Sequence, residues 1–383
     1  MGIRLRGMTW DHTRGYLPMV ATGQRFHELH PEIEVVWEKR SLQAFADYPL
    51  DKLIDQYDLL VVDHPWAGQA SQRGWLVPLD QHLPPGYLGE QERESVGESY
   101  ISYQFDGHLW ALPIDAATPV AAWRPDILQQ TGLSKPEDWS DLLDLAHRGL
   151  VILPAKEIDL LMHFYMMVKA IGGPLFQDNR VALAEFGVRA LVRLRELIQL
   201  CADEALHFNP IQVYEVMTAQ DRYAYCPFAY GYVNYAQRGY GRIRLEFGDM
   251  VTWGHRDPLA SVLGGTGLAI SACSPHLKEA LAYAEFVGRP ETQAGIYAAA
   301  GGQPGVRSAW LDEALNESTA QYYRKTLPAL DRAYLRPRYP GYLFFQDRAS
   351  GVIHAYAKHG GDPMDVMAQL DQLYRKSMEG DIR

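Results

Sequence analysis

The chain has 383 residues, 47% of them hydrophobic and 22% charged, with a net charge of −11. That length allows two domains of ordinary size, each with its own core. The acidic balance argues against a nucleic-acid partner, which needs clustered Lys and Arg, and no run of 18 apolar residues is present to cross a membrane.

In chain order, "IRLRG" alternates apolar and charged residues as a strand does, and a helix follows through "LPMVATGQRFHELH" until Pro31 closes it. "EIEVVWEKR" reads as a second strand, and "YDLLVVD" as a short buried parallel strand ending at Asp63. Strand and helix in alternation imply a parallel sheet with helices on its faces. Further on, Asp106-Gly107 turns into strands through "LWALPID" and "PVAAWR", and "KPEDWSDLLDLA" opens a helix. "VILPA" is another short strand. "IDLLMHFYMMVKAIG" and "LAEFGVRALVRLRELIQLCADEA" are long helices, and "YAYCPFAYGY" is a strand leaving into an aromatic loop. "LASVLGGTGLAIS" returns to a strand after a glycine turn, "HLKEALAYAEFVG" is helical, and the last part of the chain is mostly helical.

In open α/β sheets, ligands lie outside the carboxyl ends of the strands. Trp10, Asp11 and His12 follow the first strand and Asp63-His64 the third, which places two polar clusters on one rim. Tyr and Trp in Gly- and Pro-rich loops offer flat faces with polar tips, which suits partly polar ligands. Cys201, Cys226 and Cys273 are odd in number and lack CxxC or other metal spacing, so they read as buried thiols rather than a disulfide framework. No cofactor or metal is expected.

Four segments in order carry a resemblance that covers nearly the whole chain: "RFHELHPEIEVVWEKR", "DLLVVDHPWAGQASQRGWLVPLD", "YQFDGHLWALPIDAATPVAAWRPDILQQTGLSKPEDWSDLLDLA" and "GGTGLAISACSPHLKEALAYAEFVGRPETQAGIYAAAGGQPGVR". Together they resemble the extracellular solute-binding proteins of ABC transporters, of the family-1, maltose-binding type. The third segment departs from the family's "YNKD" with Trp123-Arg124-Pro125-Asp126. The resemblance implies a two-lobe α/β fold, each lobe a mainly parallel sheet flanked by helices, with a ligand cleft between the lobes that closes by hinge motion. It places one lobe at 1–112 plus 265–315 and the other at 113–264 plus 316–383, with the hinge near 111–116, 263–267 and 315. It also implies a small-molecule ligand and an ABC permease as partners; a monomer is expected.

By the same resemblance, Trp10 is a ring platform, Asp11 an acceptor, and His12 and Arg14 donors beside a helix N-terminus that favours anions. Tyr16 completes that first loop. The residues leave alternatives open: Trp10 also fits a core ring, and Arg14 a solvated surface charge. Asp63 and His64 read as a ligand-contacting pair, with no third group at metal spacing. Asp115 falls where sugar-binding relatives place a cleft carboxylate, its alternative being a hydrogen bond to backbone. Tyr230 and Tyr232 stand at the loop that carries a stacking ring, while Tyr165 and His163 fit either a cleft floor or a buried helix face. Gly265, Thr266, Gln303 and Tyr342 complete the set, the first two through backbone amides that glycine exposes.

No GxSxG, HExxH, P-loop or GxGxxG motif stands in a suitable context, so no enzyme is expected. Cys226 as a nucleophile would need a basic neighbour, and the sequence supplies none. Capture of a small polar solute is the expectation. A carbohydrate comes first, and an organic acid or aromatic polar solute held by His12, Arg14, His64 and Arg338 second. The rival is a cytoplasmic enzyme or ligand sensor on the same scaffold. No leader is read at the N-terminus, so the expected location is periplasmic or extracytoplasmic if a leader was removed, and cytoplasmic otherwise.

Overall fold

The computed structural model describes residues 2–42, 50–253 and 257–379. It divides into two compact units. Unit 1 is Met1–Ala117, Leu263–Glu317 and Arg338–Pro340; unit 2 is Thr118–Val262, Ser318–Pro337 and Gly341–Arg383. The first changeover falls at 117/118, against an expected 112/113, because the strand Leu112–Ala117 pairs along its length with unit 1. Arg338–Pro340, which the sequence reading left in the other lobe, lies in unit 1, where the Arg338 guanidinium donates to the Ile101 carbonyl at 2.8 Å.

The unit 1 sheet comprises β1 (Ile3–Trp10), β2 (Ile33–Arg40), β3 (Leu59–Val62), β6 (Leu112–Ala117) and β12 (Gly264–Ile270), in the order β2-β1-β3-β12-β6. A hairpin of β4 (Gln104–Phe105) and β5 (His108–Leu109) precedes β6. β1 runs parallel to β2 and β3, and β12 runs antiparallel to β3 and β6. Alternation in β1 sends Arg4 and Arg6 to solvent, where they meet Glu34 and Glu38 of β2 at 3.3 and 2.8 Å. β3 is "LLVV" with every residue buried, as a strand covered on both faces requires. Helix α1 (Thr13–Leu29) lies against the sheet. A Cβ on its Gly15 would come within 2.3 Å of the Trp10 indole, so glycine lets the helix rest directly on that ring. The helix Leu277–Gly288 delivers Tyr283 to the same layer, where its hydroxyl meets Thr22 Oγ1 at 2.9 Å and accepts from Trp37 Nε1 at 3.2 Å.

Unit 2 departs from the expected parallel sheet. β7 (Pro119–Trp123) sits between β10 (Tyr225–Tyr230) and β11 (Glu246–Gly248), and both pairings are antiparallel. β10 and β11 lie on opposite sides of β7 and run parallel to each other, joined by residues 231–245 with a short helical turn at Val233–Ala236. "VILPA" is reduced to a parallel bridge between Val151 and Tyr225. A second hairpin, β8 (Leu175–Gln177) with β9 (Arg180–Ala182), packs beside helices Glu157–Ala170, Ala184–Leu200, Tyr342–His359 and Pro363–Met378. Two helices open with reciprocal caps, Asp138 with Asp141 and Asn209 with Gln212. Buried Arg124 donates to Asp126, to Asp221 and to the carbonyls of Met217 and Gln220, tying β7 to the end of helix Pro210–Ala219.

Candidate functional site

Five of the nominated residues, Arg14, Asp115, Gly265, Thr266 and Gln303, come together around one strand of unit 1. Arg14 lies in the first turn of α1 and Asp115 on β6, 101 positions apart, yet the guanidinium grips the carboxylate through two N–H groups, Nε at 2.8 Å from Oδ2 and Nη2 on Oδ1. Both side chains are buried, so Arg14 is not the solvated surface charge that the sequence left open. Burial dominates and holds the Asp115 carboxyl above its ordinary range, with the charge and hydrogen bonds of Arg14 opposing that rise.

Across the sheet, Thr266 of β12 is the register partner of Asp115. Its hydroxyl is buried without a hydrogen-bond partner, the kind of orphan that a bound polar group would satisfy. Gly265 beside it has φ +97°, and a Cβ there would stand 2.2 Å from the Asp115 carbonyl; glycine is required, for conformation and for approach. On the other side of β6, Gln303 donates from Nε2 to the Ala116 carbonyl at 2.7 Å, while its own carbonyl accepts from the Ala116 N–H at 2.9 Å. Gln303 therefore spends its carboxamide nitrogen on holding the strand.

The opening loop divides. His12 is the N-cap of α1, with Nδ1 accepting from the Arg14 N–H at 3.0 Å. Burial first, then the Arg14 charge, lowers its pKa to about 3. The imidazole is thus neutral, with its proton on Nε2, and not the cationic donor that a positive pocket requires. Trp10 belongs to the hydrophobic core of unit 1, one indole face covered by α1. Asp11 turns outward to Lys39 at 2.8 Å, and the Lys39 ammonium also stands 5.0 Å over the Tyr16 ring. Asp63 Oδ1 accepts from the His64 backbone N–H at 2.9 Å, while the His64 ring is fully buried edge-on to Tyr103.

In unit 2, Tyr230 ends β10 half-buried and Tyr232 follows it, buried. The Tyr214 hydroxyl fixes that corner by donating to the Ala229 and Tyr230 carbonyls at 3.1 and 3.2 Å. Tyr165 takes the buried-helix alternative, and Tyr342, nominated without one, is interior beside it. Both are fully buried, their hydroxyls 3.4 Å apart, among Phe176 and Tyr334, with Phe345 against Tyr342. His163 is likewise interior, edge-on to Phe228, and burial lowers its pKa to about 3.

Of the thiols, Cys226 is buried and burial drives its pKa far up, while Cys201 is pushed up to about 12 by the same cause. Neither supplies a thiolate at neutral pH. Cys273 corrects the expectation of three buried thiols. It lies exposed in the turn after β12, its N–H donating to Ser271 Oγ at 3.1 Å. Among the described residues no group of three or more His, Cys, Asp or Glu side chains is arranged to hold a metal ion, and no helix is long and apolar enough to cross a membrane.

Sequence reasoning missed Lys39, Gln293 and Trp310. Gln293 lies inside the run "TQAGIYAAAGG", where a lone Gln carries no local signal. Trp310 donates from Nε1 to the Pro304 carbonyl at 2.7 Å, another tether on the segment that carries Gln303.

Residues 24–322, more than half of the chain, match the family of bacterial extracellular solute-binding proteins. The chain belongs to that family. A curated relative, the mannitol-binding protein of Pseudomonas aeruginosa, is 31% identical over 128 residues, a match covering 32% of this chain and 28% of the relative's length. Among solved structures, maltose-bound MalE3 of T. maritima superimposes with a TM-score of 0.82 at 18% identity, covering 98% of this chain and 100% of that one. An ABC transporter solute-binding protein from Agrobacterium vitis S4 with bound D-mannitol has a TM-score of 0.78 at 14% identity, covering 99% of each chain. These likenesses give the solute-binding protein its fold, a mixed α/β architecture of the maltose-binding type.

Proposed function

We propose that this solute-binding protein captures a neutral polyhydroxylated solute, a sugar or a polyol, for delivery to an ABC permease. The observation that carries the reading is the charge balance of the unit 1 wall. Its buried cation, Arg14, is already matched by Asp115, and His12 is neutral. A carboxylate ligand would meet no spare positive charge there, and burying it unpaired is expensive. A hydroxyl, which both donates and accepts, can use the acceptor capacity of Asp115 and the orphan Thr266 Oγ1. The mannitol-binding relative and the maltose- and mannitol-bound neighbours support the same class.

In this reading Asp115 and Thr266 take ligand hydroxyls, with Arg14, Gly265, Gln303, His12, Asp63 and His64 around them. Tyr230 and Tyr232 of unit 2 are the proposed ring contacts, with Trp10 as a ring edge. Ligand-driven closure, a monomeric state, a location outside the cytoplasmic membrane and the absence of turnover belong to the proposal, the first through the family resemblance.

A thermal-shift and calorimetry series with D-mannitol, ribitol, maltose, citrate and succinate tests it. A ligand at 100 times its dissociation constant adds about 2.7 kcal/mol, so a bound polyol or sugar raises the melting temperature by several degrees and is recovered unchanged. Stabilisation by the carboxylates alone would overturn the neutral-ligand reading, and chemical conversion of a bound compound would replace capture with catalysis.

A further inference from the structure

We infer that Gln293 is a positioning residue for the proposed binding wall, an inference that rests on the binding reading above. Gln293 is fully buried and opens a wide helical turn, Gln293–Tyr297, in which Gly295 leaves helical geometry at φ −92°, ψ −108°. Its carboxamide is inserted between two chain segments. Oε1 accepts from the Gly305 N–H at 2.7 Å, and Nε2 donates to the Pro113 carbonyl at 3.1 Å and to the Gly288 carbonyl at 3.4 Å.

Those partners flank the wall. Pro113 is two residues before Asp115 on β6, and Gly305 is two residues after Gln303. The segment Gln303–Gly305 lies along the free edge of β6 like an added strand, bridged at Asp115 and Pro304. The Ala116 N–H bonds the Gln303 carbonyl, which leaves Pro304 at a non-hydrogen-bonded position, as a residue without an N–H requires. Two side-chain amides extend this short pairing. Gln303 Nε2 serves the Ala116 carbonyl at one end, and Gln293 relays a bond from Gly305 to Pro113 at the other. A primary amide accepts on its oxygen and donates from its nitrogen in one plane, whatever the pH. Gln293 therefore sets the alignment of the strand bearing Asp115 with the segment bearing Gln303, without touching ligand itself.

The test compares wild type, Gln293→Ala and Gln293→Glu at pH 5 and pH 8. The first readout, amide hydrogen exchange corrected for intrinsic pH dependence, needs no ligand; the second is calorimetric affinity for D-mannitol and maltose. Gln293→Ala should speed exchange at Gly305 and also at Ala116, whose partner is Gln303, and weaken binding by roughly tenfold, the scale of one lost buried hydrogen bond. Gln293→Glu should behave like the alanine variant at pH 8 and recover to within about threefold of wild type at pH 5, since the protonated acid again accepts and donates. Faster exchange at Gly305 alone, with Ala116 protection and affinity unchanged, would make Gln293 a local structural residue and overturn the inference. So would a glutamate variant that fails to recover on acidification while circular dichroism shows it folded. If wild type binds neither sugar nor polyol, the binding reading fails, and exchange at Ala116 still decides whether Gln293 aligns the two segments.

Discussion

Asp115 in unit 1 and Asp159 in unit 2 are both carboxyls withdrawn from water, with 1% and 5% of their surface exposed. They solve the same problem in opposite ways. Asp115 is gripped by two N–H groups of Arg14 and has Gln303 and Thr266 as neighbours on the adjoining segments. Asp159, in the first turn of helix Glu157–Ala170, has no partner on Oδ2; burial lifts its pKa to about 8, with Lys156 pulling it down and Glu157 pushing it up. One turn along, His163 faces the same interior with Nδ1 unpartnered. A buried acid is thus paired where a cation was built for it and kept protonated where none was. That contrast separates a region shaped to present charge from one that merely stores a proton.

The largest effect is expected from splitting the unit 1 pair. Arg14→Ala or Asp115→Ala should cost about 3–5 kcal/mol in denaturant unfolding, because each leaves a buried charge alone. Replacing both together with Met and Leu should restore much of that stability while abolishing sugar or polyol binding. A loss below about 1 kcal/mol in the single variants would break the comparison. Gly265→Ala comes next, at about 2–3 kcal/mol, since an L residue must hold a left-handed φ against the Asp115 carbonyl; a variant as stable as wild type would show that the strand yields there.

The proton on Asp159 gives a pH test. Its folded pKa of about 8 lies above the unfolded value, so the folded state keeps a proton that the unfolded chain releases, and stability falls as pH rises from about 4 to 8. His163, with a pKa of about 3, acts with the opposite sign, losing stability as pH falls from 6.5 towards 3. Between pH 6.5 and 8 only Asp159 of this pair contributes. Wild type should lose on the order of 1–2 kcal/mol across that window and Asp159→Asn should not; equal slopes in the two proteins would remove Asp159 as the source. The smallest effect belongs to Thr266→Val, which should leave stability unchanged or slightly raised while weakening polyol affinity by about three- to tenfold.

Much of this architecture was legible in the sequence because strand alternation, helix caps and the order of family segments are local signals. Asp115, Thr266 and Gln303 were nominated by position in those segments. What they do to one another was not legible. The grip of Arg14 on Asp115 spans 101 residues, and no local pattern tells a paired guanidinium from a solvated one. His12 carried a different ambiguity: the same ring can donate to a ligand or cap a helix, and only the fold shows that Nδ1 caps by accepting the Arg14 N–H. Unit 2 misled because helix-rich spacing suggested parallel crossovers, whereas β7 pairs antiparallel with both β10 and β11. Tyr165 and Tyr342 could not be assigned from residue type, since a ring that packs a core and one that stacks on a sugar look alike until their neighbours are known.

The uneven fate of the three thiols has a practical side. All three thiols are held above their ordinary range, but Cys273 alone of them is exposed, one turn beyond β12, the strand that bears Thr266. A maleimide fluorophore should therefore attach at a single place in the native chain, with no cysteine added or removed. Emission from that dye would follow events on β12 in real time, making the unmodified sequence the starting point for a reagentless optical sensor of its own solute.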